Sequence, residues 1–78
     1  MLVPLIGFVQ GDSIGLLVLA HDDMTIDEVA DKLRQSARVR VDIDGAWQLR
    51  VGDRAPSPTS TVAEAGLRAL QRIDLRRP

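Results

Sequence analysis

Two apolar runs open the chain, residues 2–9 and 14–20, both rich in Leu, Ile and Val and separated only by Gln10-Gly11-Asp12-Ser13. Such runs joined by a connection containing Gly and Asp predict a β-hairpin. The hydrophobic period then changes. Ile26, Val29, Ala30, Leu33 and Ala37 recur at the spacing of a single helical stripe. Thr25, with Glu28 three residues on, offers a capping box for the first orphan backbone N–H groups. Asp27, Glu28 and Asp31 suit the positive end of the helix dipole. A main helix is therefore predicted over about 25–37. Val39, Val41 and Ile43 alternate with Arg38, Arg40 and Asp42, and Trp47, Leu49 and Val51 alternate with Gln48 and Arg50. That alternation predicts two strands, 38–43 and 47–51, around a turn at Asp44-Gly45. Residues 52–60, with their Gly, Pro, Ser and Thr, read as an irregular loop. Thr61 and Glu64 repeat the capping-box spacing and Gly66 stops it, predicting a short helix at about 61–66. Ile73 and Leu75, alternating with Asp74 and Arg76, predict a closing strand.

The order β-β-α-β-β-short helix-β gives an α+β fold in which one helix covers one side of a mixed four- to five-stranded sheet. This is the β-grasp arrangement seen in ubiquitin, and residues 25–33 resemble the ubiquitin helix. Residues 1–78 are expected to form a single ubiquitin-like domain.

The hairpin fits that plan only on one side. With Gly11-Asp12 at the turn, one set of facing residues is Val3/Ala20, Leu5/Val18, Gly7/Leu16 and Val9/Ile14. The other is Pro4/Leu19, Ile6/Leu17 and Phe8/Gly15, and it is equally apolar. Val3, Leu5, Leu16 and Val18 are expected inside, where Gly7 fits closely beneath a helix. Phe8 is then stacked on Gly15 outside. Pro4, Ile6, Phe8, Leu17 and Leu19 would form an exposed apolar patch, the mark of an interaction surface. The alternative is that loop 52–60 folds over the patch. Arg38, Arg40 and Arg50, sharing one outward parity on the two predicted strands, would add a basic margin suited to an acidic protein surface.

Composition narrows the chemistry. There is no cysteine, one histidine (His21) and only two aromatic residues, Phe8 and Trp47. Thiol nucleophiles and thiolate metal sites are thereby excluded. No second imidazole exists for a relay, and neither Ser13 nor Ser36 has triad partners in the pattern. His21-Asp22-Asp23 is too short a cluster to enclose a cation, and its acids suit the start of a helix. Neither catalytic residues nor a metal or cofactor site is expected, and the chain is not read as an enzyme by itself. Residues 1–31 carry six acids and no base (−6), while residues 32–78 carry ten bases and five acids (+5), which sums to the net −1. Near-neutrality without interleaved aromatics argues against nucleic acid. The apolar runs are too short to span a bilayer, and no export signal is read at the start, so a cytoplasmic protein without membrane contact is expected. The ending Leu75-Arg76-Arg77-Pro78 carries no diglycine, so ubiquitin-type carrier chemistry is not expected from it.

A closer likeness rests on three stretches. They are Val3-Pro4 with Phe8 and Asp12, residues 23–33, and residues 61–67 followed by Ile73-Asp74-Leu75. On these the chain resembles the small ubiquitin-like subunit, protein B or gamma, of toluene 4-monooxygenase-type bacterial multicomponent monooxygenases. The resemblance implies a non-catalytic structural subunit in a hetero-oligomer with a large oxygenase subunit. That partner would carry a diiron centre and oxidise aromatic or alkene hydrocarbons with O₂ and electrons from NADH. A second reading is a free-standing ubiquitin-like adaptor, such as those of bacterial type VII secretion systems.

Overall fold

A computed structural model describes residues 1–78. The elements are β1 (Leu2–Val9), β2 (Leu16–His21), α1 (Ile26–Ala37), β3 (Gln48–Arg50) and β4 (Arg72–Arg76). They form a four-stranded sheet in the order β2-β1-β4-β3. β1 is antiparallel to β2 and parallel to β4, which is antiparallel to β3. The sheet is therefore mixed, and α1 lies across one face.

The hairpin takes the expected register, with Val3 opposite Ala20, Leu5 opposite Val18, Ile6 opposite Leu17 and Pro4 opposite Leu19. Because strand side chains alternate between faces, this register sends Val3, Leu5, Val9, Val18 and Ala20 inward together. They meet Ile26, Val29, Leu33 and Ala37 of α1 in one core with Leu49, Val62, Ile73 and Leu75, while Leu16 is only partly buried against it. Gly7 lies at the closest approach of helix to sheet. A Cβ at that position would fall 2.3 Å from Leu33 Cδ2, and Leu33 is itself fully buried.

Pro4 occupies a central strand, where its missing N–H ordinarily costs a ladder bond. In β1 the even-numbered N–H groups face β4, since Ile6 N donates to Gln71 O and Gln10 N to Leu75 O. Pro4 precedes the start of β4, where the neighbouring chain is still turning, and its carbonyl accepts from Leu70 N at 2.6 Å. No ladder bond is lost there.

The N-terminus of α1 is fully satisfied. Glu28 N donates to Thr25 Oγ1 at 3.2 Å and Thr25 N to Glu28 Oε1 at 3.1 Å, completing the capping box. Ile26 N and Asp27 N donate to the carbonyls of Ser60 and Pro58. These last bonds place the end of loop 52–60 at the helix start, on the opposite side of the sheet from the outward hairpin face. The alternative that this loop covers the outward face is thus overturned.

Three expected elements differ. Residues 38–43 are not a strand. Arg40 N and Val41 N both donate to Ala37 O, so the chain curls off the helix end. The Asp42, Ile43 and Asp44 carbonyls are then taken by side chains. Arg77 Nη2 reaches Asp42 O at 3.0 Å, Trp47 Nε1 reaches Ile43 O at 2.9 Å, and Arg77 Nη1 binds Asp44 O. Those are bonds that a neighbouring strand would have needed, and Val39 is left 79% exposed. The strand predicted at 47–51 shortens to Gln48–Arg50, because Val51 instead bridges Arg54 in a tight turn. The short helix at 61–66 is reduced to a single turn. Its capping box forms, with Thr61 N to Glu64 Oε1 at 2.9 Å and Glu64 N to Thr61 Oγ1 at 3.1 Å. After Ala65 N bonds Thr61 O, however, Gly66 turns away at φ +72°.

Two expected outcomes follow from this packing. Gly7→Ala should lower unfolding free energy by about 1–3 kcal/mol through overpacking against Leu33, read from urea denaturation. The bond from Thr61 N, then that from the Thr61 hydroxyl, hold the Glu64 carboxyl below its ordinary 4.5. The Met1 ammonium, by hydrogen bond and then by charge, holds Asp22 below 3.8. A carboxyl depressed by folding stabilises above its unfolded pKa, and that contribution is lost as pH falls through the folded value. Thermal stability should therefore decline below pH 4.5, and Glu64→Gln should make the acid side of the Tm–pH curve shallower.

Candidate docking surface

The alternation that buries one hairpin face leaves the other outward. Pro4, Ile6 and Phe8 are half-buried by their neighbours, while Leu17 and Leu19 are 61% and 49% exposed. Phe8 is held on two sides. A Cβ on Gly15 would lie 3.0 Å from Phe8 Cζ, so the ring rests directly on that glycine. Opposite, the Arg72 guanidinium sits 4.3 Å from the ring centroid, within cation–π range. Arg72 also pairs with Asp74, Nη2 to Oδ1 at 3.1 Å.

Beyond Phe8 the face changes character. With Ile73 and Leu75 buried, β4 turns Arg72, Asp74 and Arg76 outward. Asp74 faces Arg50 across the β3–β4 pair, and Arg76 faces Gln48. Arg50 is steadied by Gln48 Oε1 at 3.3 Å and Asp53 O at 3.0 Å. One sheet face thus has an apolar half on β1 and β2 and a half rich in arginine on β4 and β3, with Phe8 at the seam.

The structure groups Pro4, Ile6, Phe8, Leu17 and Leu19 together, and Arg50 on the far side of the same face. It does not bring Arg38 and Arg40 into that row, because their segment lies outside the sheet. Arg38 leans back on Gln35 Oε1 at 3.4 Å. Arg40 Nε pairs at 2.9 Å with Asp12 Oδ2, whose side chain is only 3% exposed, and ties the hairpin turn to the end of α1. Sequence alternation alone does not select Arg72 or Arg76 for this face. Only the parallel β1–β4 pairing brings Arg72 onto Phe8.

Chemical groups are sparse. No three His, Asp or Glu side chains come together in a way that could hold a metal ion. His21 N points to Met24 Sδ, Asp22 binds the Met1 ammonium, and neither converges with Asp23. The residues present therefore do not fit an iron site. Trp47 packs at the sheet margin, with Arg77 stacked 4.0 Å from its ring centroid. No helix is long and apolar enough to cross a membrane.

Helix, strand order and mixed pairing define a ubiquitin-like β-grasp protein. A ubiquitin from Caldiarchaeum subterraneum superposes with a TM-score of 0.79 at 18% identity, covering 100% of this chain and 95% of that one. The family model for toluene-4-monooxygenase system protein B (TmoB) matches residues 2–76, and the chain belongs to that family, a component of monooxygenase systems. In a solved toluene 4-monooxygenase HD complex with the inhibitor 4-bromobenzoate, one chain superposes with a TM-score of 0.90 at 22% identity, covering all of both chains. The ubiquitin-like domain of the Mycobacterium tuberculosis type VII secretion protein EccD1 superposes with a TM-score of 0.68 at 9% identity, covering 99% of each. At these identities the likenesses are of fold. No curated protein sequence matches the chain.

One backbone feature borders the face. Leu70, 65% exposed, has φ +62°, a left-handed conformation that penalises any side chain. Leu70→Gly should therefore raise stability by about 1 kcal/mol in chemical denaturation.

Proposed function

We propose that this chain is a non-catalytic assembly subunit of a multicomponent monooxygenase, docked through its outward sheet face on the large oxygenase subunit. One observation carries the reading. A chain of the protein B family carries Leu17 and Leu19 exposed and Pro4, Ile6 and Phe8 half-buried on one sheet face, over which neither its helix nor loop 52–60 lies. At a few tens of Å² each, they offer roughly a few hundred Å² of apolar surface, the scale of interaction sites. Arg50, Arg72 and Arg76 beside them favour a partner with carboxylates at the matching margin. Arg38 and Arg40 stand apart and are not needed for this contact.

In this reading residues 1–78 act as one ubiquitin-like domain in the cytoplasm, and the chemistry belongs to the partner. A diiron centre there would activate O₂ for hydroxylation of aromatic or alkene hydrocarbons, with NADH as electron source. This chain's residues contribute binding and orientation only. The adaptor reading draws on the likeness to the EccD1 domain, which is one of fold.

Purification of the tagged chain from its native host should recover a large partner with iron in the ratio of a diiron centre. Recovery of membrane secretion components without iron would favour the adaptor. Leu17→Asp should abolish co-purification while changing the stability of the isolated chain by less than about 1 kcal/mol, since Leu17 is exposed. If Leu17→Asp leaves co-purification intact, the outward face is not the contact.

A further inference from the structure

The two edges of the sheet are managed in opposite ways. β3 is three residues long, ends in Arg50 and turns straight into the Val51–Arg54 bridge. Short strands, charges and abrupt turns are how proteins blunt an edge. β2 is neither so short nor charged. Its six residues, Leu16–His21, include no Lys, Arg, Asp, Glu or Pro.

The hydrogen-bond phase shows which backbone groups that edge leaves free. Asp22 N donates to Met1 O at 3.0 Å, so the residues opposite each other there are a bonded pair. Bonded and non-bonded pairs alternate in an antiparallel ladder. Val3/Ala20, Leu5/Val18 and Gly7/Leu16 therefore bond each other, and Leu17, Leu19 and His21 direct their N–H and C=O away from β1. His21 is already occupied, its N–H by Met24 Sδ at 3.3 Å and its carbonyl by Met24 N at 3.0 Å. Leu17 and Leu19 keep an open ladder. These are also the two residues whose side chains stand most exposed on the outward hairpin face.

We infer that the β2 edge accepts an extended strand from the oxygenase partner, hydrogen-bonded to the backbone of Leu17 and Leu19, with alternate apolar side chains beside those leucines. This rests on the docking reading above and specifies its mode: strand addition joined to face packing. A second copy of the chain fits less well. Antiparallel pairing of β2 with its copy has a two-fold axis perpendicular to the sheet, leaving both outward faces side by side and uncovered. Two six-residue strands also bury far less than the roughly 800 Å² per partner of a stable interface. A segment of a larger protein that pairs with β2 and continues across the outward face covers both features at once.

Amide exchange in the purified complex, quenched and read by fragmentation mass spectrometry, tests the inference. The Leu17 and Leu19 N–H groups should exchange at least 100-fold more slowly in the complex than in the isolated chain. Leu19→Pro, which removes the outward N–H, should weaken co-purification at least tenfold more than Leu19→Ala, which keeps it. If both amides exchange at the free rate, or Pro and Ala weaken binding equally while Leu17→Asp abolishes it, strand addition is wrong and face docking stands. If Leu17→Asp also binds normally, or no partner is recovered, both readings fall. A homodimer with protected Leu17 and Leu19 amides would overturn the inference in favour of the second copy. The exchange measurement uses the unaltered chain, so it holds even if Leu19→Pro does not fold.

Discussion

A single twelve-residue helix can shield one face of a four-stranded sheet and no more. At 1.5 Å per residue it is about 18 Å long, close to the width of four strands spaced about 4.8 Å apart. Everything else in the chain is held away from the second face. Loop 52–60 closes the start of α1 through the Pro58 and Ser60 carbonyls. The segment after α1 is pinned by Arg77 and Trp47 against the end of the sheet. An apolar hairpin with both faces hydrophobic, in a fold able to bury one, leaves the other turned outward.

That face is ordered before anything meets it. Phe8 lies between Gly15 and Arg72, Arg72 is clamped to Asp74, and Arg50 is held by Gln48 and Asp53. Side chains already restrained lose less rotamer freedom on association. The same contacts temper the charge, because Asp74 sits between Arg72 on its own strand and Arg50 on the next. Complementary carboxylates on a partner would find a basic margin with one acid already at its centre.

Much of this was legible in the residues. The hairpin register and its inward and outward sets followed from the period-two pattern around Gly11-Asp12, and α1 from its stripe and capping box. What failed did so where side chains replaced backbone partners. Val39, Val41 and Ile43 alternate as a strand should, yet alternation records only a side-chain pattern. Arg77, more than thirty positions away in sequence, takes the carbonyls a strand would have shared. The capping box at Thr61 and Glu64 signalled a helix start correctly, but Gly66 ends it within a turn. Only that false strand groups Arg38 and Arg40 with Arg50. Arg72 is only one of ten bases in residues 32–78 until the parallel pairing between the two ends of the chain brings it onto Phe8.

That pairing also orders events in time. β4 comes last along the chain yet lies between β1 and β3, with residue 6 registered against residue 72. The β1–β2 hairpin is local and can close quickly, whereas joining β4 to β1 must wait for closure of a loop spanning most of the chain. Until then both faces of the hairpin are bare, and β1 and β2 each present one open edge. A hairpin that closed ahead of β4 would bare more apolar surface than the finished molecule does, for as long as β4 took to arrive.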